Sequence, residues 1–259
     1  MTEDLLYDVR GATGWLTLNR PQARNALTFE MYEQIAEICG GLTIGGPVKV
    51  MVMTGAGARA FAAGTDMTQF RAFASADDAI AYEARMDRVF AAVERCPLPT
   101  VAAIAGACTG GGAGLAAACD IRIATADLRF GFPIARTLGN CLSVANLARL
   151  SALVGHGRVT DLLFTARLLG AEEALAAGLI SEIAADHDAL ITRATALADV
   201  LAGHAPLTLA ATKEGLRRLR IQGADADDRD VIARTYMSAD FKEGLEAFLA
   251  KRKPNWTGS

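Results

Sequence analysis

The sequence predicts an α/β core followed by a helical C-terminal region. Up to about residue 143, short β-rich runs alternate with stretches of helical spacing, the pattern of a layered α/β sheet. From Val144 onward helix follows helix, with strand material only near residues 179–183. The 259 residues are 52% hydrophobic and 21% charged, enough for one sizeable core and inconsistent with disorder.

The elements follow in order. Residues 5–10 and 15–19 alternate around Gly11 and Gly14, which predicts a hairpin. Thr28 is placed to cap a helix over 29–42, with Met31, Ile35, Ile38 and Leu42 on one face. The run 48–54 is β-rich and mostly apolar, as a strand buried on both faces should be, and Gly55 and Gly57 then mark a turn. Ser75, Asp77 and Asp78 open a second helix that runs to about Arg95, where Pro97 stops it. Residues 101–104 form another buried strand, helix begins at Gly111 and runs through Ala118, and 121–124 and 128–130 are short strands. Helices are predicted over 144–153, 157–164, 171–177, 187–202, 207–220, 227–238 and 240–251. The division expected is a core over residues 1–200 and a helical region over 201–259 for oligomerisation and active-site cover.

Composition excludes several classes. A net charge of −3 gives no basic footprint for nucleic acid or an anionic membrane. The start, Met1-Thr-Glu-Asp, carries acids where a secretory signal needs basic residues. The uncharged stretch 96–119 opens with Pro97 and Pro99 and is broken by five glycines, so it reads as strand, turn and helix and not as a membrane span. Cys39, Cys96, Cys108, Cys119 and Cys141 make no CxxC pair and no cluster with histidine, so no metal site is expected and the thiols read as reduced, in a cytoplasmic protein. Aromatics are only 6% and glycines number 25, so the interior is packed with small side chains while catalytic groups are scarce.

Two loops are placed to do chemistry. In Ile104-Ala-Gly-Ala-Cys-Thr-Gly-Gly-Gly-Ala-Gly-Leu115 a buried strand turns into a helix through glycines. Free N–H groups and the positive end of the helix dipole there suit a phosphate or a developing oxyanion, although tight helix–strand packing alone also explains such glycines. The spacing is wrong for a dinucleotide fold and no P-loop Lys follows. The second loop, Gly55-Ala-Gly-Ala-Arg-Ala-Phe-Ala-Ala-Gly-Thr-Asp-Met67, also follows a buried strand. One N–H from each loop can converge on one carbonyl oxygen.

With these loops go Asn19-Arg-Pro, Asn25-Ala-Leu27, Cys119-Asp-Ile121, Phe130-Gly-x-Pro133, Ala171-Glu-Glu-Ala-x-x-x-Gly-Leu179, Phe241-Lys-Glu-Gly, Ala247-Phe-Leu and Lys251-Arg-Lys-Pro-Asn255. In order and spacing, over almost the whole chain, this series resembles the crotonase (enoyl-CoA hydratase/isomerase) superfamily. The resemblance implies a spiral of ββα units ending in a helical region that forms trimers or hexamers. It implies an acyl-CoA thioester substrate, with coenzyme A present only as part of that substrate. The oxyanion-hole donors map onto the N–H groups of Thr65 and Gly111. The coenzyme A nucleotide maps onto the loops holding Arg24, Ala26, Ala63, Asp66 and Met67, and onto Lys251, often supplied by a neighbouring subunit. Read without the resemblance, Lys251 is a solvated charge in a basic run.

The chain departs from the family where hydratases carry two glutamates. The first position is Gly114. The second is Ile134, or Ala135 if the register slips by one. Asn140, Cys141 and Ser143 fall near the second position. Asn140 is a candidate to orient water or a polar substrate group, but is no base. Cys141 reads as a small buried residue and Ser143 as a helix cap. Arg136 suits a substrate carboxylate or a surface salt bridge. Glu83 and Asp87, four residues apart on the second helix, read either as a solvated face or as a replacement base. Asp66 reads as a loop-fixing acid and Asp120 as structural. The expected chemistry is enolate stabilisation on an acyl-CoA by a hydratase/isomerase-type enzyme. A decarboxylase or hydrolase of a specialised acyl-CoA, or a non-catalytic acyl-CoA binder, is the alternative.

Overall fold

A computed structural model describes residues 3–259; Met1 and Thr2 of the acidic start lie outside the described residues. Strands β1 (Leu5–Arg10) and β2 (Thr13–Leu18) form the expected hairpin, paired antiparallel. They continue into a six-stranded sheet through β3 (Val50–Gly55), β5 (Thr100–Ile104), β7 (Ile121–Thr125) and β9 (Glu182–Ala184), all parallel beyond the hairpin. A second, three-stranded sheet consists of β4 (Ala60–Ala62), β6 (Ala107–Thr109) and β8 (Arg129–Gly131). Each long strand of the large sheet from β3 to β7 is followed by a short strand of the small one and then by a helix. This is the repeated ββα unit that the resemblance implies. The mixed α/β architecture, with a sheet of mainly parallel strands, agrees with the fold class read from the sequence.

The helices start where their caps dictate. Thr28 accepts a bond from the Met31 N–H and opens α1 (Phe29–Gly41). Ser75 and Asp78 form a reciprocal capping box that opens α2 (Ala76–Arg95). Helix α3 (Gly111–Ala118) springs from the triple glycine, and α4 is a single turn at Ile134–Thr137. Seven helices follow: α5 (Val144–Val154), α6 (His156–Thr165), α7 (Ala171–Ala176), α8 (His187–Ala202), α9 (Pro206–Gln222), α10 (Arg229–Tyr236) and α11 (Ala239–Leu249).

Side chains of β3 alternate between two cores, as a strand covered on both faces requires. Met51 and Met53 point into the larger cluster with α1, α2 and α3. Val50 and Val52 point the other way, with Trp15, Val101 and Ile123, onto Leu190, Ala194 and Ala198 of α8. The uncharged 96–119 stretch becomes β5, β6 and α3, and no single helix among the described residues is long and apolar enough to cross a membrane. Strands β4 and β6 and helix α4 have no counterpart in the sequence reading. Three-residue strands of Ala, Phe, Cys and Thr give too short a period to register.

Candidate active site

The small sheet delivers the two glycine-rich loops to one place. β4 ends at Ala62 and β6 at Thr109, and the loops leaving them touch. A Cβ on Gly110 would lie 3.4 Å from the Gly64 Cα, and one on Gly64 would lie 3.7 Å from the Thr109 carbonyl oxygen. Both glycines sit at positive φ, +110° at Gly64 and +53° at Gly110, where a side chain is strained. Gly112 packs on β4 so closely that a Cβ would lie 2.6 Å from that of Ala62. Close approach of backbone to backbone thus explains these glycines, and it sets Thr65 and Gly111 beside each other.

Both Thr65 and Gly111 line a cavity of about 280 Å³. Among the described residues neither of their backbone N–H groups meets an acceptor. Gly111 is the first residue of α3, so its N–H belongs to the unpaired set at the positive end of the helix dipole. The Thr65 side chain is fixed from two sides, its Oγ1 being 2.9 Å from the Tyr32 hydroxyl and 3.2 Å from that of Tyr82. A Cβ on Gly111 would collide with the Tyr32 hydroxyl and stand 2.8 Å from the Thr65 Oγ1. Tyr32 is fully buried, and that burial raises its phenol pKa well above the ordinary value, so it stays neutral.

Behind the first loop, residues 23–27 and 63–67 are stitched together. Ala63 N–H donates to the Arg24 carbonyl (3.0 Å), Leu27 N–H to the Gly64 carbonyl (2.8 Å) and Asp66 N–H to the Leu27 carbonyl (2.8 Å). Asn25, buried and at φ 57°, is the rivet: its Oδ1 accepts from the Arg20 N–H and its Nδ2 donates to the carbonyls of Ala56 and Ala60. Asp66 accepts from the N–H and hydroxyl of Thr68 and pairs with Arg20 at 2.9 Å; the Thr68 bonds first, then Arg20, hold its carboxyl below the usual range. It therefore fixes the loop.

The far wall shows why the first acid position is a glycine. A Cβ on Gly114 would lie 2.7 Å from both Cε2 and Cζ of Phe90, whose buried ring fills the space a longer side chain would need. Ile134 lines the cavity too, half-buried and packed against the main core. The walls at both positions are thus hydrocarbon. One carboxylate lines the cavity, Glu83 on α2, and it is half-buried. Burial, then the charge of Asp87 one turn on, raise its carboxyl pKa above the usual range, against a bond from the Ser143 N–H that lowers it. Asp87 accepts from the Ser143 hydroxyl (2.6 Å) and the Asn146 amide (3.4 Å). Asn146 in turn accepts from Arg149, and Arg149 shares Glu94 with Arg220 of α9.

Of the residues singled out from sequence, the structure gathers Thr65, Gly111, Asn140, Ala63, Met67, Glu83 and Ile134 around this cavity. Arg24, Ala26 and Asp66 belong to the stitched loops at its edge. Arg136 is exposed and does not line the cavity, and Lys251 lies just beyond α11, also away from it in the same chain. Ser143 caps α5 as expected. Asp120 is structural, accepting from the Thr100 N–H and hydroxyl and pairing with Lys213 at 2.7 Å. Cys141, read as buried, is exposed, because it stands on the loop between α4 and α5 with no element over it. Tyr32, Tyr82 and Phe90 escaped the sequence reading. Their only signal there was helical spacing: Tyr32 follows Met31 on the buried face of α1, and Tyr82, Met86 and Phe90 recur every four residues along α2. Among the described residues no group of three or more His, Cys, Asp or Glu could hold a metal ion.

The fold and this pocket define a class: a ββα scaffold in which two residues with unpaired backbone N–H groups, from neighbouring loops, line one cavity. The chain belongs to the enoyl-CoA hydratase/isomerase family, whose model matches residues 10–259. A short-chain enoyl-CoA hydratase of Clostridium acetobutylicum is 30% identical over 253 residues, covering 96% of each chain. A 2,3-dehydroadipyl-CoA hydratase of Escherichia coli is 33% identical over 246 residues, covering 94% of each. Among solved structures, an enoyl-CoA hydratase/carnithine racemase from Magnetospirillum magneticum superposes with a TM-score of 0.90 at 33% identity, over 100% of this chain and 97% of that one.

Proposed function

We propose that this enzyme of the hydratase/isomerase family binds its acyl-CoA with the thioester oxygen between the N–H groups of Thr65 and Gly111, and stabilises the enolate that forms there. The observation that carries the reading is the pair of unengaged donors on two neighbouring residues that line one cavity. Donors fixed before charge develops need no reorganisation in the transition state, and losing one typically costs about 10²–10³-fold in rate. Asn140 lines the same cavity and is suited to orient a polar group of the substrate. The coenzyme A end runs along Arg24, Ala26, Ala63, Asp66 and Met67, and Lys251 reaches it from a neighbouring subunit. A homotrimer or dimer of trimers is supported by the apolar side chains left exposed on the C-terminal helices, among them Leu216, Tyr236, Met237, Phe248 and Leu249.

The hydrocarbon at Gly114 and Ile134 favours chemistry other than hydration by two carboxylates. Decarboxylation of a malonyl-type thioester is the second reading, since Phe90 and Ile134 give an apolar wall against which a departing carboxylate is poorly solvated. The test is the infrared carbonyl band of butyryl-CoA labelled with ¹³C at the thioester carbon. Binding should shift the band to lower frequency, and a bound thioester with an unshifted band contradicts the proposal. Turnover assays with crotonyl-CoA, 3-hexenoyl-CoA and malonyl-CoA then separate the reactions; any turnover excludes a purely binding role.

A further inference from the structure

We propose that Glu83 is the proton-transferring residue of this site and that Asp87 positions it. The inference rests on the oxyanion reading and names the group that reading leaves unassigned.

The geometry narrows the choice. Proton transfer at a carbon next to a thioester needs a side chain on the cavity wall that can exchange a proton near neutral pH. Ile134 cannot, and a side chain at Gly114 is blocked by Phe90. The hydroxyl of Tyr82 is engaged with Thr65, and burial raises its pKa. The remaining titratable wall group is Glu83, which lines the cavity together with Asn140, Asn146, Met86, Phe90 and Leu142. The Ser143 hydroxyl donates to Asp87 at 2.6 Å, and the Ser143 N–H lies near enough to lower the Glu83 pKa, so one residue of the α4–α5 loop meets both acids. Two carboxylates one helical turn apart, both half-buried, are an unfavourable arrangement for stability alone, and a solvated face does not account for it.

The groups around Glu83 are few. On its own helix they are Tyr82 and Asp87. Helix α1 presents Tyr32 to the cavity side, while its Glu33 is taken up by Arg85 and Arg88. Helix α3 carries no titratable side chain, and α9 meets α2 through Arg220 and Glu94 at the far end. The 140–146 segment supplies the Ser143 N–H and the exposed Cys141. Asp87 is therefore the charge that acts on Glu83, adding to the larger effect of burial.

The step balances without a co-reactant. With a β,γ-unsaturated thioester, the Glu83 carboxylate takes a proton from the α-carbon. The C–H bond breaks, an O–H bond forms, and the electron pair moves into a dienolate whose oxygen faces Thr65 and Gly111. The Glu83 carboxylic acid then returns the proton at the γ-carbon, and the double bond ends in conjugation.

The experiment uses the full chain with 3-hexenoyl-CoA, following appearance of the conjugated enoyl absorbance, and α-proton exchange of bound butyryl-CoA in D₂O as a second readout. Glu83→Gln should lower kcat by about 10²–10⁴-fold while acyl-CoA binding changes less than threefold. Glu83→Asp, one methylene shorter, should retain measurable turnover. Asp87→Asn keeps an acceptor for Ser143 but removes the charge, so the acidic limb of kcat/KM should move to lower pH. If E83Q keeps activity within threefold of wild type, the proposal fails while the carbonyl shift still supports the oxyanion hole. If the wild type binds both thioesters with a shifted carbonyl and neither isomerises nor exchanges, the proposal fails again. If the carbonyl is unshifted, both readings fall together. An acidic limb unmoved in D87N removes Asp87 from the account. Should E83Q not fold, E83D and D87N decide the matter.

Discussion

Gly114→Ala sets two effects of opposite sign against each other. Gly114 lies inside α3, where alanine is favoured over glycine by about 1 kcal/mol through backbone entropy. Against this, the new Cβ would stand 2.7 Å from two ring carbons of Phe90. The ring can give way only toward the cavity it lines. It is buried, meets Tyr32 edge-on at 6.2 Å between centroids, and carries the Arg149 guanidinium 5.7 Å over its face. Overpacking costs about 1–3 kcal/mol, and a ring held by Tyr32 and Arg149 but open toward the cavity belongs near the middle of that range. The net expectation is a loss of about 1 kcal/mol, or about 2–4 °C in melting temperature at this chain length. The assay is thermal and urea denaturation at one fixed protein concentration, for Gly114→Ala, Phe90→Leu and the double variant. In the Phe90→Leu background the glycine substitution should cost at least about 1 kcal/mol less, because the two side chains share one space. A Gly114→Ala protein more stable than wild type by the full propensity gain, or strict additivity with Phe90→Leu, would refute the claim that Phe90 fills the first acid position.

Other expectations are equally specific. Asn25→Ala removes three hydrogen bonds and places alanine at positive φ, so it should cost about 2–4 kcal/mol and loosen acyl-CoA binding, read by denaturation and calorimetry. Glu94→Ala strands the buried Arg149 beside Arg220 and should cost about 3 kcal/mol in urea denaturation, far more than an exposed pair such as Arg10–Asp8. Tyr32→Phe should cost about 1 kcal/mol by itself, yet make Gly111→Ala better tolerated, since the Tyr32 hydroxyl is what the added methyl meets; melting curves of the three variants check it.

Much of this architecture is legible in the residues. The Thr28 and Ser75 caps, the both-face-apolar runs of β3 and β5 and the glycines opening α3 each carry a local physical signal, and each element stands within a few residues of its expected bounds. The motif Asn25-Ala-Leu27 has its reason in the Asn25 side chain bridging Arg20, Ala56 and Ala60, which no local rule reveals. Of the small sheet only β8 shows in the sequence, as the run 128–130, while β4 and β6 escape because they are three residues long and draw their stability from their neighbours. The same holds for the wall of the cavity. Tyr32, Tyr82 and Phe90 have the spacing of ordinary amphipathic helices, and only the packing of α1 and α2 against the loop ends brings Tyr32 and Tyr82 to Thr65 and Phe90 to the cavity wall, whereas Glu83 with Asp87 is marked by its spacing alone. The sequence could mark two acid positions as empty, but Phe90 as the occupant of one of them is a tertiary fact.

The most direct test of the central claim is a crystal structure with butyryl-CoA bound. The account predicts the thioester oxygen about 2.7–3.1 Å from the backbone nitrogens of both Thr65 and Gly111, the separation an oxyanion hole requires, with the acyl chain running past Glu83 toward Ile134. A thioester oxygen bonded to neither nitrogen, with the acyl chain outside this cavity, would contradict it.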